Sequence, residues 1–519
     1  MKIERTKNAA RNIVFGGILK AYQILVPFLM RTVMIYFMGI QYLGLNSLFS
    51  SILQVLNLAE LGIGSAMVYS MYQPIAEDDE VTICALMNLY KIYYRVIGLV
   101  VAIGGLMILP FLPNLIKMDT VPKELNVYVL YLLNLAATVL SYWLFAYKNS
   151  LLTAHQRIDV ISKVTLITNT IQYILQLIVI IFLHNYYYYY IVILATQICT
   201  NIITALVVNR MYPDYQPRGK LDKSKVKEIN ARVRDLFTAK LGGVIVNSAD
   251  TIVISAFLGL TVLAIYQNYY FIMTAVIGII YVIFNACTAG IGNSIIVETK
   301  EKNFADLQKF TFLIVWISGV SCCFFLCLYQ PFMELWVGKE NMLQFSAVVC
   351  LVVYFFVYEM NQLLNLYKDA AGIWHEDRFR PLVTAGGNLI MNLIMVQVWD
   401  IYGVLLSTVL STCFIGMPWL LHNLFTVLFE PRFMKGYVKQ LISYVLGTCF
   451  ICMVVCIPCN LLRFSNYVLI IVRGLICVIV PNLLFILLYR KKREFVNSII
   501  LMDRITKGKL KLYKWIGNQ

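Results

Sequence analysis

The sequence predicts an all-α polytopic membrane protein of about 14 transmembrane helices: two pseudo-symmetric six-helix lobes followed by two C-terminal helices. Three observations predict it. Of 519 residues, 60% are hydrophobic and 13% charged, and the mean hydropathy is +0.75, far from the composition of a soluble globular chain. Apolar runs of about 20 residues, the length that crosses a bilayer, recur along the chain and leave no room for a soluble domain. Finally, short stretches of the first half return in the second half in the same order.

The first span runs from about Ile13 to Met38. Its internal Lys20, Pro27 and Arg31, with no small-residue cleavage site after a compact apolar core, mark a retained helix and not a signal peptide. A second span, about Ser47–Tyr72, ends at the acidic turn Glu77-Asp78-Asp79-Glu80. The third, about Leu86–Leu109, is stopped by Pro110 and Pro113, and the fourth runs about Val127–Leu152. Spans five and six, about Val164–Leu183 and Tyr187–Asn209, form a hairpin through His184-Asn185. The tyrosines of 186–190 sit at its outer boundary as an interfacial aromatic belt.

Residues 1–210 are thus an N-lobe and 211–238 a basic cytoplasmic linker. The C-lobe, 239–428, holds spans at about Ala239–Leu260, Ile265–Val297, Phe310–Met333, Phe345–Ala371, Leu382–Trp399 and Tyr402–Leu428. Residues 429–519 carry the last two, about Val438–Cys459 and Val468–Tyr489, and a basic cytoplasmic tail.

Net charge is +16, and its distribution sets the topology. With both termini inside, the inside segments hold 32 of the 43 Lys and Arg, and the outside has only Lys117, Lys123, Lys339 and Arg463. The other seven lie within or at the ends of spans. This positive-inside bias accounts for the basic composition without a nucleic-acid partner.

Four matches carry the repeat. Phe15-Gly16-Gly17-Ile18-Leu19 returns as Leu241-Gly242-Gly243-Val244-Ile245, and Phe37-Met38-Gly39-Ile40 as Phe257-Leu258-Gly259-Leu260. Gly62-Ile63-Gly64-Ser65 returns as Gly290-Ile291-Gly292-Asn293, and Tyr147-Lys148-Asn149 with His155 as Tyr367-Lys368-Asp369 with His375. Both halves start inside, so the lobes are related by an axis along the membrane normal, with a substrate cleft expected between them near the midplane. The glycine pairs read as close helix contacts within each lobe.

Charges inside spans mark candidate sites, because lipid offers them no partner. At about 100° per residue, Lys20, Gln23, Pro27 and Arg31 share an arc of roughly 80° on the first span, a cationic stripe suited to an anionic substrate group. A guanidinium presents a planar fork to phosphate or pyrophosphate; the competing reading of Lys20 is a side chain that snorkels to the inner interface. Glu60, Asn247, Asp250 and Glu359 are candidates for ion coupling or for structural ion pairs with those cations. Lys148, His155, Lys368, Asp369 and His375, near inside ends of helices, are candidates for a hydrogen-bonded gate or end caps. Arg473 is a further buried cation without an evident partner. Thirteen cysteines include Cys449, Cys452, Cys456 and Cys459 on one helix face, spread over about 15 Å of rise; they read as packing residues, with no metal site. No cluster for hydrolysis or group transfer appears, so an enzyme is not expected.

The basic N-terminus, Arg11-Asn12-Ile13-Val14-Phe15-Gly16, Arg31-Thr32, Tyr42-Leu43-Gly44-Leu45 and Leu58-Ala59-Glu60-Leu61-Gly62-Ile63-Gly64-Ser65-Ala66 resemble the Wzx-type polysaccharide exporters. These are O-antigen and capsule-repeat flippases of the multidrug/oligosaccharidyl-lipid/polysaccharide (MOP) superfamily. The motifs cover residues 11–72, and twelve spans in two lobes plus two extra agrees over the whole chain. The resemblance implies a flippase in the bacterial cytoplasmic membrane that moves an undecaprenyl-pyrophosphate-linked oligosaccharide to the outer leaflet for lipopolysaccharide or capsule synthesis, beside other polysaccharide-assembly membrane proteins. It places the family's cationic cavity at Lys20 and Arg31. It implies no cofactor beyond coupling to H+ or Na+, with Asp250 as the candidate. The alternatives are a MATE-like drug/cation antiporter, which calls for an acidic cavity; a membrane glycan polymerase or ligase, which calls for a large outside loop; and a scaffold, which leaves the polar stripe and repeat unexplained.

Overall fold

The computed structural model describes residues 5–462 and 464–505, with all their side chains except those of residues 5–10, 13, 235, 238–240, 247, 283, 285, 286, 289, 502, 504 and 505. Every regular element among the described residues is helical. In chain order they are α1 (Arg5–Phe37), α2 (Ile40–Leu56), α3 (Ile63–Ala76), α4 (Glu80–Ile108), α5 (Leu112–Leu115), α6 (Val127–Trp143), α7 (Asn149–Ala154), α8 (Ile158–Ile178) and α9 (Tyr186–Met211). There follow α10 (Lys223–Phe257), α11 (Leu260–Val297), α12 (Lys300–Val337), α13 (Phe345–Ala370), α14 (Arg380–Ser411), α15 (Met417–Val427), α16 (Pro431–Leu461), α17 (Asn466–Tyr489) and α18 (Arg493–Ile505).

The chain is an all-helical polytopic membrane protein. Among the described residues, eleven helices are long and apolar enough to cross a bilayer, and twelve if the bent pair α6–α7 is one span. Two features separate this count from the fourteen expected. The 48-residue stretch Arg380–Val427 passes as one, yet it breaks at Trp399 and Asp400, whose φ/ψ are not helical. The apolar end of α10, Leu241–Phe257, is shorter than a full span.

Two compact units divide the chain, Met1–Ala264 and Ile265–Gln519. In the first, α1 packs on α8, α4 on α6, α6 and α8 on α9, and α10 on α2 and α3. The seventh span, α10, thus belongs to the first unit. In the second, α12 is central, packed on α13, α16 and α17.

Local chemistry explains where helices start. Asn126 accepts from the amides of Tyr128 and Val129, Asn185 from those of Tyr187 and Tyr188, and Thr299 from that of Lys302. Asp79 caps α4 through the Thr82 amide, 3.0 Å away, and these hydrogen bonds hold its carboxyl below the usual aspartate range. A depressed value means the cap stabilises fully above the ordinary aspartate pKa and fades as pH falls through the lowered one. The gap in melting temperature between the unsubstituted protein and Asp79→Ala should therefore be widest near neutrality and narrow toward pH 3; a gap that ignores pH would refute the cap.

The repeat has a backbone basis at Gly39 and Gly259. Both lie in the turn between consecutive spans at positive φ, +116° and +93°, a region that side chains avoid. The other glycine expectation holds in part. A Cβ at Gly62 would come within 2.7 Å of Leu236 and 2.9 Å of the Val233 carbonyl on α10, whereas one at Gly16, Gly17, Gly243 or Gly290 would meet nothing within 4 Å among the described residues. Close approach also occurs at Gly44 against the Leu260 carbonyl, and along α4, where Gly98 takes Trp143 and Gly105 takes Leu135.

Candidate functional site

Two spans of the first unit are interrupted, and the interruptions meet. The second span stops being α-helical at Asn57–Glu60, a 3-10 turn, and Gly62 at φ +88° lets it resume as α3. The fourth breaks after Trp143, with Phe145 at φ +60°, and α7 leaves α6 bent by 49°. Irregular backbone at membrane depth persists only where protein or water satisfies it, and such breaks commonly build ion and substrate sites.

Glu60 sits at the first break. Its Oε1 accepts from the Tyr94 hydroxyl at 2.5 Å and its Oε2 from the Tyr142 hydroxyl at 2.9 Å; Tyr90 in turn donates to Tyr94 at 2.9 Å. All three tyrosines are buried. The ion pair with Lys20 or Arg31 considered for Glu60 does not form: among the described residues its partners are tyrosines, which neutralise nothing but fill both carboxylate oxygens. Bonds to a charged acceptor are worth about 1.5–3 kcal/mol each. Tyr142→Phe should cost that much in unfolding free energy with no loss of membrane insertion; an unchanged unfolding midpoint would mean that the bond contributes nothing.

The stripe on α1 divides at Pro27. Lys20 and Gln23 are exposed, and no side chain among the described residues pairs with Lys20. Arg31 lies about 16 Å further along the helix, half-buried and within electrostatic reach of Tyr189 on α9. Only 11% of the apolar window of α1 is buried, against 61% in α13, so Lys20 and Gln23 sit on a sparsely covered helix.

The remaining candidates separate by environment. Asp250 is buried and engaged on α10, and the side chain of Asn247 lies outside the described residues. Glu359 is 1% exposed on α13, and its Oε1 has no hydrogen-bond partner; no cation pairs with it among the described residues. Lys148 is buried and bonds to Asn209. His155 is also buried, its Nδ1 2.9 Å from the Leu151 carbonyl and its ring 4.4 Å from Tyr212; burial pushes the imidazole below its usual value. Lys368 pairs with Asp369 at 2.6 Å, and His375 is exposed.

Sequence reasoning passed over two buried aspartates, one at a turn between spans in each unit. Asp159 takes Arg157 at 2.9 Å and Lys163 at 3.3 Å, and Asn12 accepts from its amide. Asp377 takes Arg380 at 2.6 Å, Lys368 at 3.8 Å and Asn423 at 3.1 Å. The clue was basic residues at short spacing around one acid. Arg473 also finds its partner, donating from Nη1 to the Cys327 carbonyl at 3.0 Å. The cysteine face of α16 meets α12, with Cys452 3.7 Å from Cys323 and Cys456 3.5 Å from Cys327. No group of three or more His, Cys, Asp or Glu among the described residues could hold a metal ion.

No protein-family model matches the sequence, and no curated protein sequence matches it. Solved structures do. A lipid II flippase, MurJ, in an inward closed conformation superposes with a TM-score of 0.68 at 15% identity, over 92% of this chain and 99% of that one. An inward-facing multidrug resistance MATE family transporter of the MOP superfamily gives 0.60 at 15% identity, over 79% and 98%. A MOP superfamily transporter from Pyrococcus furiosus, described as having a binding pocket of reverse polarity, gives 0.52 at 14% identity, over 83% and 96%. The chain therefore has the MOP-superfamily transporter fold; likeness at this identity speaks for fold alone.

Proposed function

We propose that this chain, folded as MOP-superfamily transporters are, is a flippase for polyprenyl-pyrophosphate-linked oligosaccharide repeat units. It acts by alternating access, in the bacterial cytoplasmic membrane, to supply cell-surface polysaccharide such as O-antigen or capsule. The observation that carries this reading is an exposed Lys20, unpaired among the described residues, with Gln23 beside it and Arg31 further along, on the least covered span of a fold shared with a lipid II flippase. A cation kept unpaired in an apolar span is best offset by an anionic ligand. The lipid tail stays in the bilayer while the pyrophosphate and sugars cross, and no bond is broken. Glu60, Asp250 and Glu359 are the carboxylates that would carry H+ or Na+ coupling; of these Glu60 is the best built, at two helix breaks.

The test is the purified protein in vesicles holding a labelled polyprenyl-pyrophosphate oligosaccharide, followed by headgroup exposure to an impermeant reagent. Acceleration over empty vesicles supports the reading. No acceleration with several glycans, together with uptake of a cationic dye under a proton gradient, would replace it with the MATE-like antiporter.

A further inference from the structure

The fourth-span break has a second neighbour that the transport reading leaves unused. Lys91 and Arg95 lie one turn apart on α4, half-buried and exposed respectively. At about 100° per residue they fall between Gly98, where Trp143 packs, and the exposed side of Ile92, Val96 and Leu99. That is the edge where α4 passes from protein contact to lipid. Lys148, just beyond the break, is 4% exposed and close enough to Lys91 for their charges to repel, and the break is held on α4 beside Arg95, whose carbonyl accepts from the Trp143 indole N–H at 3.2 Å. Lys148 Nζ bonds to the neutral Asn209 and lies 5.6 Å over the Phe145 ring. None of the three cations meets a carboxylate among the described residues.

The second unit shows the same position neutralised. Lys368, the counterpart of Lys148 in the repeat, has Asp369 at 2.6 Å and Asp377 at 3.8 Å. Where the second unit has Asp369, the first has Asn149. Like charges gathered in a low-dielectric region without a counter-ion are costly, and an anion arriving from the lipid side removes that cost. Lys91 and Arg95 stand about 16 and 22 Å along α4 from Glu80, within reach of a headgroup in the leaflet on that side by their long stems. Basic pockets between spans on the cytoplasmic side take lipid phosphates.

We propose that Lys91, Arg95 and Lys148 form a docking site for the phosphate group of an inner-leaflet lipid. The Arg95 guanidinium grips two phosphate oxygens as a fork, and the two ammonium groups act as point charges. The site goes beyond the transport reading, since binding there requires no flipping; only its inner-leaflet placement shares the topology of that reading. Two lipids carry this chemistry, a polyprenyl pyrophosphate and a bulk phospholipid such as cardiolipin.

Delipidated full-length protein in detergent is titrated with each lipid and with inorganic pyrophosphate, and occupancy is read by native mass spectrometry. Lys91→Gln with Arg95→Gln is expected to weaken lipid binding at least tenfold, while Lys91→Arg with Arg95→Lys keeps it. A preference for the polyprenyl pyrophosphate assigns the site to the carrier lipid; equal binding of cardiolipin assigns it to the surrounding bilayer. Either supports the site. Lipid binding by the double glutamine variant that equals the unsubstituted protein, at an unchanged melting temperature, overturns it. Should that variant not fold, Arg95→Gln alone, at an exposed position, makes the same comparison. Lys20→Ala with Arg31→Ala should leave this binding intact, so a failure of flipping and a failure of docking are read separately.

Discussion

Replacing Lys20 and Arg31 together by alanine is expected to slow headgroup transfer in loaded vesicles by at least tenfold, and toward a hundredfold if both cations touch the pyrophosphate. A hydrogen bond to a charged group is worth about 1.5–3 kcal/mol, and 1.4 kcal/mol is a factor of ten. The two positions should behave differently alone. Lys20 has no partner among the described residues, so Lys20→Ala removes only a ligand contact and leaves the melting temperature where it was. Arg31 is half-buried near Tyr189, so Arg31→Ala loses packing as well and should melt earlier. Arg31→Lys keeps the charge without the fork and should recover stability more than transfer. Normal transfer by a well-inserted double variant would sink the anion role of this helix.

The second large effect concerns Arg473 and a proline on another helix. Pro331 lies inside α12 and has no amide hydrogen, so the carbonyl four residues earlier, that of Cys327, loses its helical donor. Arg473 of α17 donates to that same carbonyl. Its buried guanidinium is thereby a replacement for a missing backbone hydrogen bond. Removing it has two opposed effects: it relieves a desolvated charge, and it strands a buried acceptor at about 1–3 kcal/mol. Their balance is set by context, but their coupling is not. Arg473→Met should be worse by about 1–3 kcal/mol when Pro331 is present than in a Pro331→Ala background, where the restored amide satisfies Cys327. Additive effects in this cycle would show that the contact does not serve the proline.

Most of the spans were legible because each is written locally: hydropathy runs need only neighbours in sequence, as do the helical offsets around Lys20. Partners were not legible. Tyr94 and Tyr142 lie 34 and 82 residues from Glu60, and Arg473 lies 146 from Cys327. A charge in a span advertises its cost but not what meets it: of the two roles open for Glu60, ion coupling or an ion pair, the pair does not form among the described residues, and tyrosines stand in its place. Lys91 and Arg95 were hidden for a different reason. The run around them is apolar enough to read as an ordinary span, and their relation to Lys148 depends on a helix break that no proline or glycine marks. Phe145 adopts a left-handed conformation without a sequence signal.

The junction around Glu60 also bears on how the chain is made. When the second span leaves the ribosome, its carboxylate enters the membrane before either tyrosine partner exists. Synthesis at about 5–20 residues per second leaves roughly 4–16 s between Glu60 and Tyr142, counted over the 82 residues that separate them. For that interval a broken helix whose acid still lacks at least one of its two tyrosine partners has to be held by something other than its own fold. Biogenesis of this protein is thus expected to lean on the insertion machinery at its second span, and nascent chains halted before residue 142 to be the ones that quality control removes.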